Sequence, residues 1–368
     1  MRKPIKIICS ILLIMLMTAG CNISAASAGE FPFALSGDFK ARIIYNNEIE
    51  EFLDEEILSI QLEKDYNFTG AVYLDIQLKN YTEFKGKNKN RETDLSLKEA
   101  YLDYYTENID WRAGKEIIDW GSSYNIKPSN YFNPIDLSAV NPLESREGIN
   151  LIKAKYFLNN NKELTSILGL RDEVDKIQQG IKFTKRRYHG FDLSASYFNG
   201  NLLQPLPISA IMQKNTFYPE AKKYGLDITG DISDKKIGVF SEAVYSKYKM
   251  KDLNDGIEFV GGFDYKFDNN LYLLAQFYFQ EAILNNLDNR KIISIHADQP
   301  LRQFHSWEAN LFYDLKTDLI VLRPKFIYSL AEALELEFGA AVKINEDEKS
   351  QLNQLNEELI YLGVNSYF

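Results

Sequence analysis

The chain has 368 residues, 45% of them hydrophobic in type, and a formal net charge of −10. That charge excludes the basic face that nucleic-acid binding requires. Both cysteines, Cys9 and Cys21, lie close to the N-terminus, so a chain processed beyond them has no disulfide and no thiolate metal site.

The first residues read as an export leader. Arg2, Lys3 and Lys6 precede an apolar run from Ile7 to Met17, and small residues end in Ala26-Ser27-Ala28. This is the pattern of a signal peptide over residues 1–28, too short to span a bilayer as a helix of about 20 residues. The alternative is lipid attachment at Cys21, although Thr18 stands where such sites usually carry Leu. Removing the leader removes three positive charges and no negative one, so −10 becomes −13 for residues 29–368.

No later apolar run approaches the length of a membrane helix. The 23 Tyr and 23 Phe instead sit in segments that alternate with period two. From Phe68 to Asn80, residues Phe68, Gly70, Val72, Leu74, Ile76 and Leu78 oppose Thr69, Ala71, Tyr73, Asp75, Gln77 and Lys79. Leu271 to Gln280 and Leu334 to Lys343 repeat the pattern. Each run is about ten residues, enough for a tilted strand to cross a bilayer. Connections tend to alternate short and long: 65–67 is short, Tyr81 to Asp94 long, 106–109 short, Asp119 to Gly148 long and Gly200 to Lys223 long. The fold predicted is an all-β transmembrane antiparallel up-and-down barrel, with short periplasmic turns and long outer loops. Counting Lys291 to Asp298 as a strand, with Gln299 to Gln303 as a turn and Lys316-Thr317 as a tight outer link, gives 18 strands. Sixteen is the alternative. Asn345 to Glu358 is expected to be the last outer loop, with room for a short helix. The chain ends on Phe368, a terminal aromatic of the kind read by the barrel assembly machinery.

Two stretches carry a resemblance. Leu97 to Tyr105, then Arg112-Ala113-Gly114-Lys115-Glu116, Asp119-Trp120-Gly121 and Asn133-Pro134-Ile135-Asp136-Leu137 form the first. Leu319 to Ala341 forms the second. They resemble porin-like outer-membrane barrels of diderm bacteria, including uncharacterised families with a GRQ or GKQ…WG…NPxDL signature. The resemblance implies a barrel and a pore-type role, and Glu116 departs from the Gln that is usual there.

If apolar faces look outward, the pore lining follows strand by strand. The residues expected to face the lumen are Asp75, Glu99, Tyr101, Asp103, Arg112, Glu116, Lys153, Lys155, Glu242, Asp264, Arg323, Lys325, Glu335 and Glu337. Charges of both signs facing each other across water suit polar or zwitterionic solutes. The same parity places Lys115 on the lipid side, at a cost of roughly 2–4 kcal/mol near the midplane. A bulge at Gly114 or an early strand end resolves this. The 119–148 connection is the third outer loop, the one that folds inward in general porins. Pro128, Pro134 and Pro142 stiffen it, and Trp120, Tyr124, Tyr131, Asn133 and Asp136 are the proposed constriction residues. Its aromatics serve either as a stacking surface for solutes or as an interfacial girdle.

Catalysis has little support. His305 and Ser306 are adjacent and would point to opposite faces of a strand, while His296 and Asp298 share a face without a nucleophile. No metal-ligand spacing and no cofactor motif is evident. The expected function is therefore passive diffusion of small hydrophilic solutes across an outer membrane. The expected partners are the bilayer, the assembly machinery and small polar solutes, and the sequence leaves a homo-oligomer open. The alternatives are a plugged barrel serving as receptor or adhesin through 200–223 and 282–290, and, more remotely, a hydrolase.

Overall fold

The computed structural model describes residues 33–47, 50–66, 69–85, 88–133, 146–170, 177–202, 219–232, 237–284, 288–301, 304–345 and 358–368. The leader, most of the 345–358 connection and Asp136 lie outside the described residues. Strands β1 (Ala34–Asn46), β2 (Glu51–Asp65), β3 (Gly70–Lys85), β4 (Asn88–Tyr105), β5 (Ile109–Glu116) and β6 (Ile149–Asn159) form the first third. Next come β7 (Lys162–Leu170), β8 (Gln178–Tyr188), β9 (Phe191–Asn201), β10 (Glu220–Ile232), β11 (Ile237–Tyr248) and β12 (Gly256–Lys266). The last are β13 (Tyr272–Gln280), β14 (Arg290–Leu301), β15 (His305–Asp314), β16 (Ile320–Ala331), β17 (Leu334–Ile344) and β18 (Leu359–Tyr367). Each strand pairs antiparallel with its sequence neighbours, and β18 returns to β1, with Asp38 opposite Tyr367, to close an 18-stranded barrel. Closure leaves the sheet without a first or last edge.

The period-two pattern explains why these residues make a barrel rather than a sandwich. Leu95, Leu102, Ile152, Leu226, Phe263 and Ile360 are all exposed on the outer surface, Leu95 at 69%. An apolar belt of that extent on every side is a surface for hydrocarbon, because water would penalise it. No helix among the described residues is long and apolar enough to cross a membrane; the crossing elements are strands. Their partners at alternate positions, among them Asp103, Glu116, Asp227, Glu242 and Glu337, are buried on the inner face.

Three local features differ from the sequence-based expectation. The 81–94 segment is not a loop: β3 and β4 continue pairing through Tyr81 opposite Glu92 and Glu83 opposite Asn90. A backbone ladder needs no apolar side chains once it rises past the belt, so polar composition there concealed two strands. The 299–303 turn is shorter than expected, since Gln299 to Leu301 belong to β14 and Pro300 sits opposite Ser306. A proline costs little at the end of a ladder, where few donors are needed. Pro324, in the middle of β16, is handled differently: pairing to β17 skips Arg323 and Pro324.

The third difference is a bulge, and it lies in β4 rather than at Gly114. Asp75 faces Glu99 while Ile76 faces Leu97, leaving Lys98 as the extra residue. The bulge flips parity, so Leu95 and Leu97 look outward while Glu99, Tyr101 and Asp103, two to eight positions on, look inward. Pairing of β5 is continuous through Gly114, from Ala113 opposite Leu102 to Lys115 opposite Ala100. Lys115 escapes the hydrocarbon because β5 ends one residue later, and its ammonium lies 3.9 Å from Glu147. Gly114 has φ +139, and a Cβ there would lie 2.1 Å from the Ala100 carbonyl oxygen, so glycine is required by close backbone approach.

Strand height is uneven. The strands β2, β3 and β4 have 15, 16 and 18 residues, whereas β5, β7, β13 and β18 have 8 or 9. The tall hairpins rise from the rim that also carries the 117–148 connection. The chain ends lie at the opposite rim, where Gly37 and Phe368 exchange two backbone hydrogen bonds.

Candidate functional site in the barrel interior

Residues 117–133 leave the end of β5 and enter the barrel. The base of this segment is tied: the Ile118 amide donates to Asn133 Oδ1 at 2.7 Å, Arg146 donates to the Ile118 carbonyl at 3.0 Å, and the Asn133 amide group donates to the Glu147 carbonyl. Asp119 lies 2.8 Å from Lys127 and 3.5 Å from Arg146. The loop thus closes on itself before it touches the wall.

Its apolar side chains then pack on the inner wall. Trp120 meets Phe132 edge-on at 5.2 Å and Phe132 meets Phe198 at 5.1 Å, while Tyr131 lies 5.5 Å from Phe198. Together with Ile118, Ile149, Leu151, Ile167, Val244 and Tyr248 these rings form the larger of two buried apolar clusters. Burying one such ring contributes roughly 1.5–3 kcal/mol relative to leaving it exposed, and Phe132 is 0% exposed. Two glycines make the room. A Cβ on Gly180 would come within 2.6 Å of Trp120 and 2.7 Å of Phe132, and one on Gly225 within 2.2 Å of the Tyr131 hydroxyl.

Polar anchors complete the seat. Glu242, also 0% exposed, accepts from the Ser123 amide at 2.6 Å and the Ser123 hydroxyl at 2.5 Å on one oxygen, and from the Ser129 amide at 2.9 Å on the other. A carboxylate with three donors avoids the cost of an unpaired buried charge. Asn125 donates to Ser294 at 2.7 Å, Tyr131 bonds Ser196 at 3.0 Å, and Lys182 donates to the Trp120 carbonyl at 2.6 Å. Burial holds the Tyr131 phenol well above its ordinary pKa, so this hydroxyl keeps its proton. The loop therefore lies mainly against β6 to β14, with Ile126 packed on a second apolar cluster that reaches Phe312 of β15 and Val321 of β16, and Ile117 at its start bonded to Glu99 of β4.

A polar cluster lines the wall beside the loop. Arg112 forks onto Asp103 at 2.6 and 2.7 Å, reaches Glu116 at 2.8 Å and lies 3.7 Å over the Tyr101 ring. Tyr101 in turn stacks on Tyr73 at 5.0 Å. Lys153 also donates to Glu116, Lys155 lies 3.2 Å from Glu163, and Arg186 donates to Glu163 at 3.0 Å. Asp75 accepts from Gln61 at 3.2 Å, and Glu99 accepts from the Ile117 amide at 2.8 Å. Of the 14 residues expected in the lumen, the structure brings Tyr101, Asp103, Arg112, Glu116 and Lys153 into contact. Glu99 shares β4 with Tyr101 and Asp103, Asp75 faces it from β3, and Lys155 follows Lys153 on β6.

Others stand apart. Lys325 pairs with Glu308 at 2.6 Å, Glu335 accepts from Tyr367 at 3.1 Å, and Glu337 accepts from Tyr361 at 2.7 Å and Asn365 at 2.9 Å. Arg323 is opposite Asn310, and Asp264 is opposite Gly238. Glu242 holds the loop rather than facing open water. In the loop, Trp120, Tyr131 and Asn133 are buried, whereas Tyr124 is exposed and lies 5.2 Å from Phe240. The buried aromatics are thus neither a solute platform nor a girdle, because the glycines opposite let them turn into the wall.

Sequence reasoning missed Lys182, Arg186, Glu163 and Asp227. Lys182 and Arg186 alternate with exposed Ile181 and Phe183, a readable signal. Asp227 alternates with exposed Tyr224, Leu226 and Ile228, an equally readable signal, whereas Glu163 shares its face with the apolar Ile167. His305 stacks on Tyr328 at 4.2 Å, while Ser306 pairs opposite Pro300, so the two do not form a hydrolytic pair.

No family model matches the sequence, and no curated protein sequence matches it. Solved structures do. Pseudomonas aeruginosa OccK5 (OpdH) superposes with a TM-score of 0.61 at 9% identity, over 91% of this chain and 96% of that one. Pseudomonas aeruginosa OccK11 (OpdR) gives 0.61 at 9% identity, over 91% and 95%. Salmonella typhi OmpF, solved with daunomycin, gives 0.50 at 13% identity, over 91% and 97%. These are outer-membrane porins. The chain has the fold of that class: a closed barrel with no helix among its described residues and a segment tucked inside.

Proposed function

We propose that the protein is an outer-membrane channel for passive diffusion of small hydrophilic solutes, with residues 117–133 as its constriction. The observation that carries this is the seating of that segment against the inner wall, mainly over β6 to β14, which narrows the barrel's interior. The interior charges then act as the pore lining, from Asp75, Glu99, Tyr101, Asp103, Arg112 and Glu116 through Lys153 and Lys155 to Asp264, Arg323, Lys325, Glu335 and Glu337. Asp136 continues the loop. In this reading residues 1–28 direct export, Phe368 is presented to the barrel assembly machinery, and the Lys115-Glu116…Trp120-Gly121…Asn133-Pro134 pattern belongs to the porin-like signature. No chemistry is assigned to the protein, in keeping with the separation of His305 from Ser306.

Reconstitution into planar bilayers tests the proposal. Discrete conductance steps in KCl are expected, and their absence overturns the open channel. Liposome swelling by sugars separates it from a plugged receptor barrel, which would admit none.

A further inference from the structure

We propose that a side chamber beneath the constriction segment is a binding site for a small zwitterion of amino-acid size; the inference rests on the channel reading. The chamber has a volume of about 330 Å3 and lies between residues 116–122 and the wall of β6 to β10. That is near the lower end for small-molecule sites. Five carboxylates and four cations line it. A zwitterion leaves that near balance unchanged and meets groups of both signs, whereas an anion or a cation meets only one set.

The hydrogen-bonding capacity is unspent on both sides. An ammonium has three donors. Among described contacts Lys153 spends one on Glu116, Lys155 one on Glu163, and Lys182 reaches the Trp120 carbonyl and Asp227. Each lysine therefore has a donor left for a carboxylate. Glu116 receives Arg112 and Lys153 on Oε1, while its buried Oε2 has no hydrogen-bond partner. The carboxylates that a solute ammonium can reach are the more exposed ones of the lining, Asp119 and Asp192. A neutral sugar is a poorer fit, because the Trp120 ring is packed against Tyr131 and Phe132 and offers no free face.

Calorimetry on the full-length protein in detergent tests this, with L-glutamine as probe and acetate and ethylammonium as its single-charge halves. Glutamine should bind saturably, and each half roughly tenfold or more weakly, because one charge-assisted contact set is lost. Lys153→Met and Lys182→Met should each weaken glutamine binding roughly tenfold, with Lys153→Arg retaining most of it. Retained heat-modifiable gel mobility would show that each barrel is folded. Acetate binding as well as glutamine would make this an anion site, ethylammonium binding as well a cation site, and no saturable heat would remove the site. KCl conductance is read separately. Channels without glutamine binding overturn the site alone, and binding without channels overturns the channel alone.

Discussion

At the scale of single residues, the absence of two side chains decides where a loop can go. Gly180 and Gly225 are hollows on the inner wall into which Trp120, Phe132 and Tyr131 fit. Gly180→Val would place methyl groups where two rings already lie. Overpacking of this kind costs about 1–3 kcal/mol, and the cheapest relief is for the loop to lift. The expected result is noisier, larger single-channel currents than wild type, with the barrel still formed. Unchanged currents would mean that the loop does not define the constriction. Glu242 acts in the same place by the opposite means, supplying a charge that three loop donors need. A lone acid on an alternating strand gives no sign of this, because its partners are more than a hundred positions away in sequence.

At the scale of elements, strand positions and the inner loop were legible to different degrees. The runs at 271–280 and 334–343 coincide with β13 and β17 to within a residue, because both faces there differ sharply in polarity. The tall parts of β3 and β4 were not legible, since no bilayer constrains their side chains. The β4 bulge was written in the sequence as two parities, Leu95 and Leu97 against Glu99 and Tyr101, but parity alone does not say where the extra residue sits. The inward course of the 117–133 segment followed from its place as the third outer loop and its stiffness. Its aromatic contacts did not, since the glycines that receive them lie on other strands. Deleting Ser122 to Ser138 is predicted to raise single-channel conductance, measured in planar bilayers. Unchanged conductance would place the loop outside the current path.

At the scale of the whole molecule, inside and outside are exchanged relative to a soluble protein. Leu226, 64% exposed, belongs to the outer belt, whereas Asp227 beside it is buried within. Leu226→Arg should therefore destabilise the barrel by roughly 2–4 kcal/mol if it sits at the midplane, and less towards an interface. Urea unfolding from lipid vesicles measures this, and a neutral result would place that position in water. The same substitution at a soluble protein's surface would be nearly silent.

The uneven height of the wall has a consequence for approach from outside. Between β4 and β5 the ladder covers only Ala100 to Tyr105 of an 18-residue strand. The sheet therefore stands above its neighbour by about a dozen residues, on the order of 40 Å along the strand. Among the described residues, the mouth has a tall screen on the flank of β2 to β4. A small solute diffuses round such a screen without noticing it, but a bulky particle meets a paired, sterically closed palisade from one side. Access for large objects is then directional: an antibody-sized probe is blocked from the flank of β3 and β4.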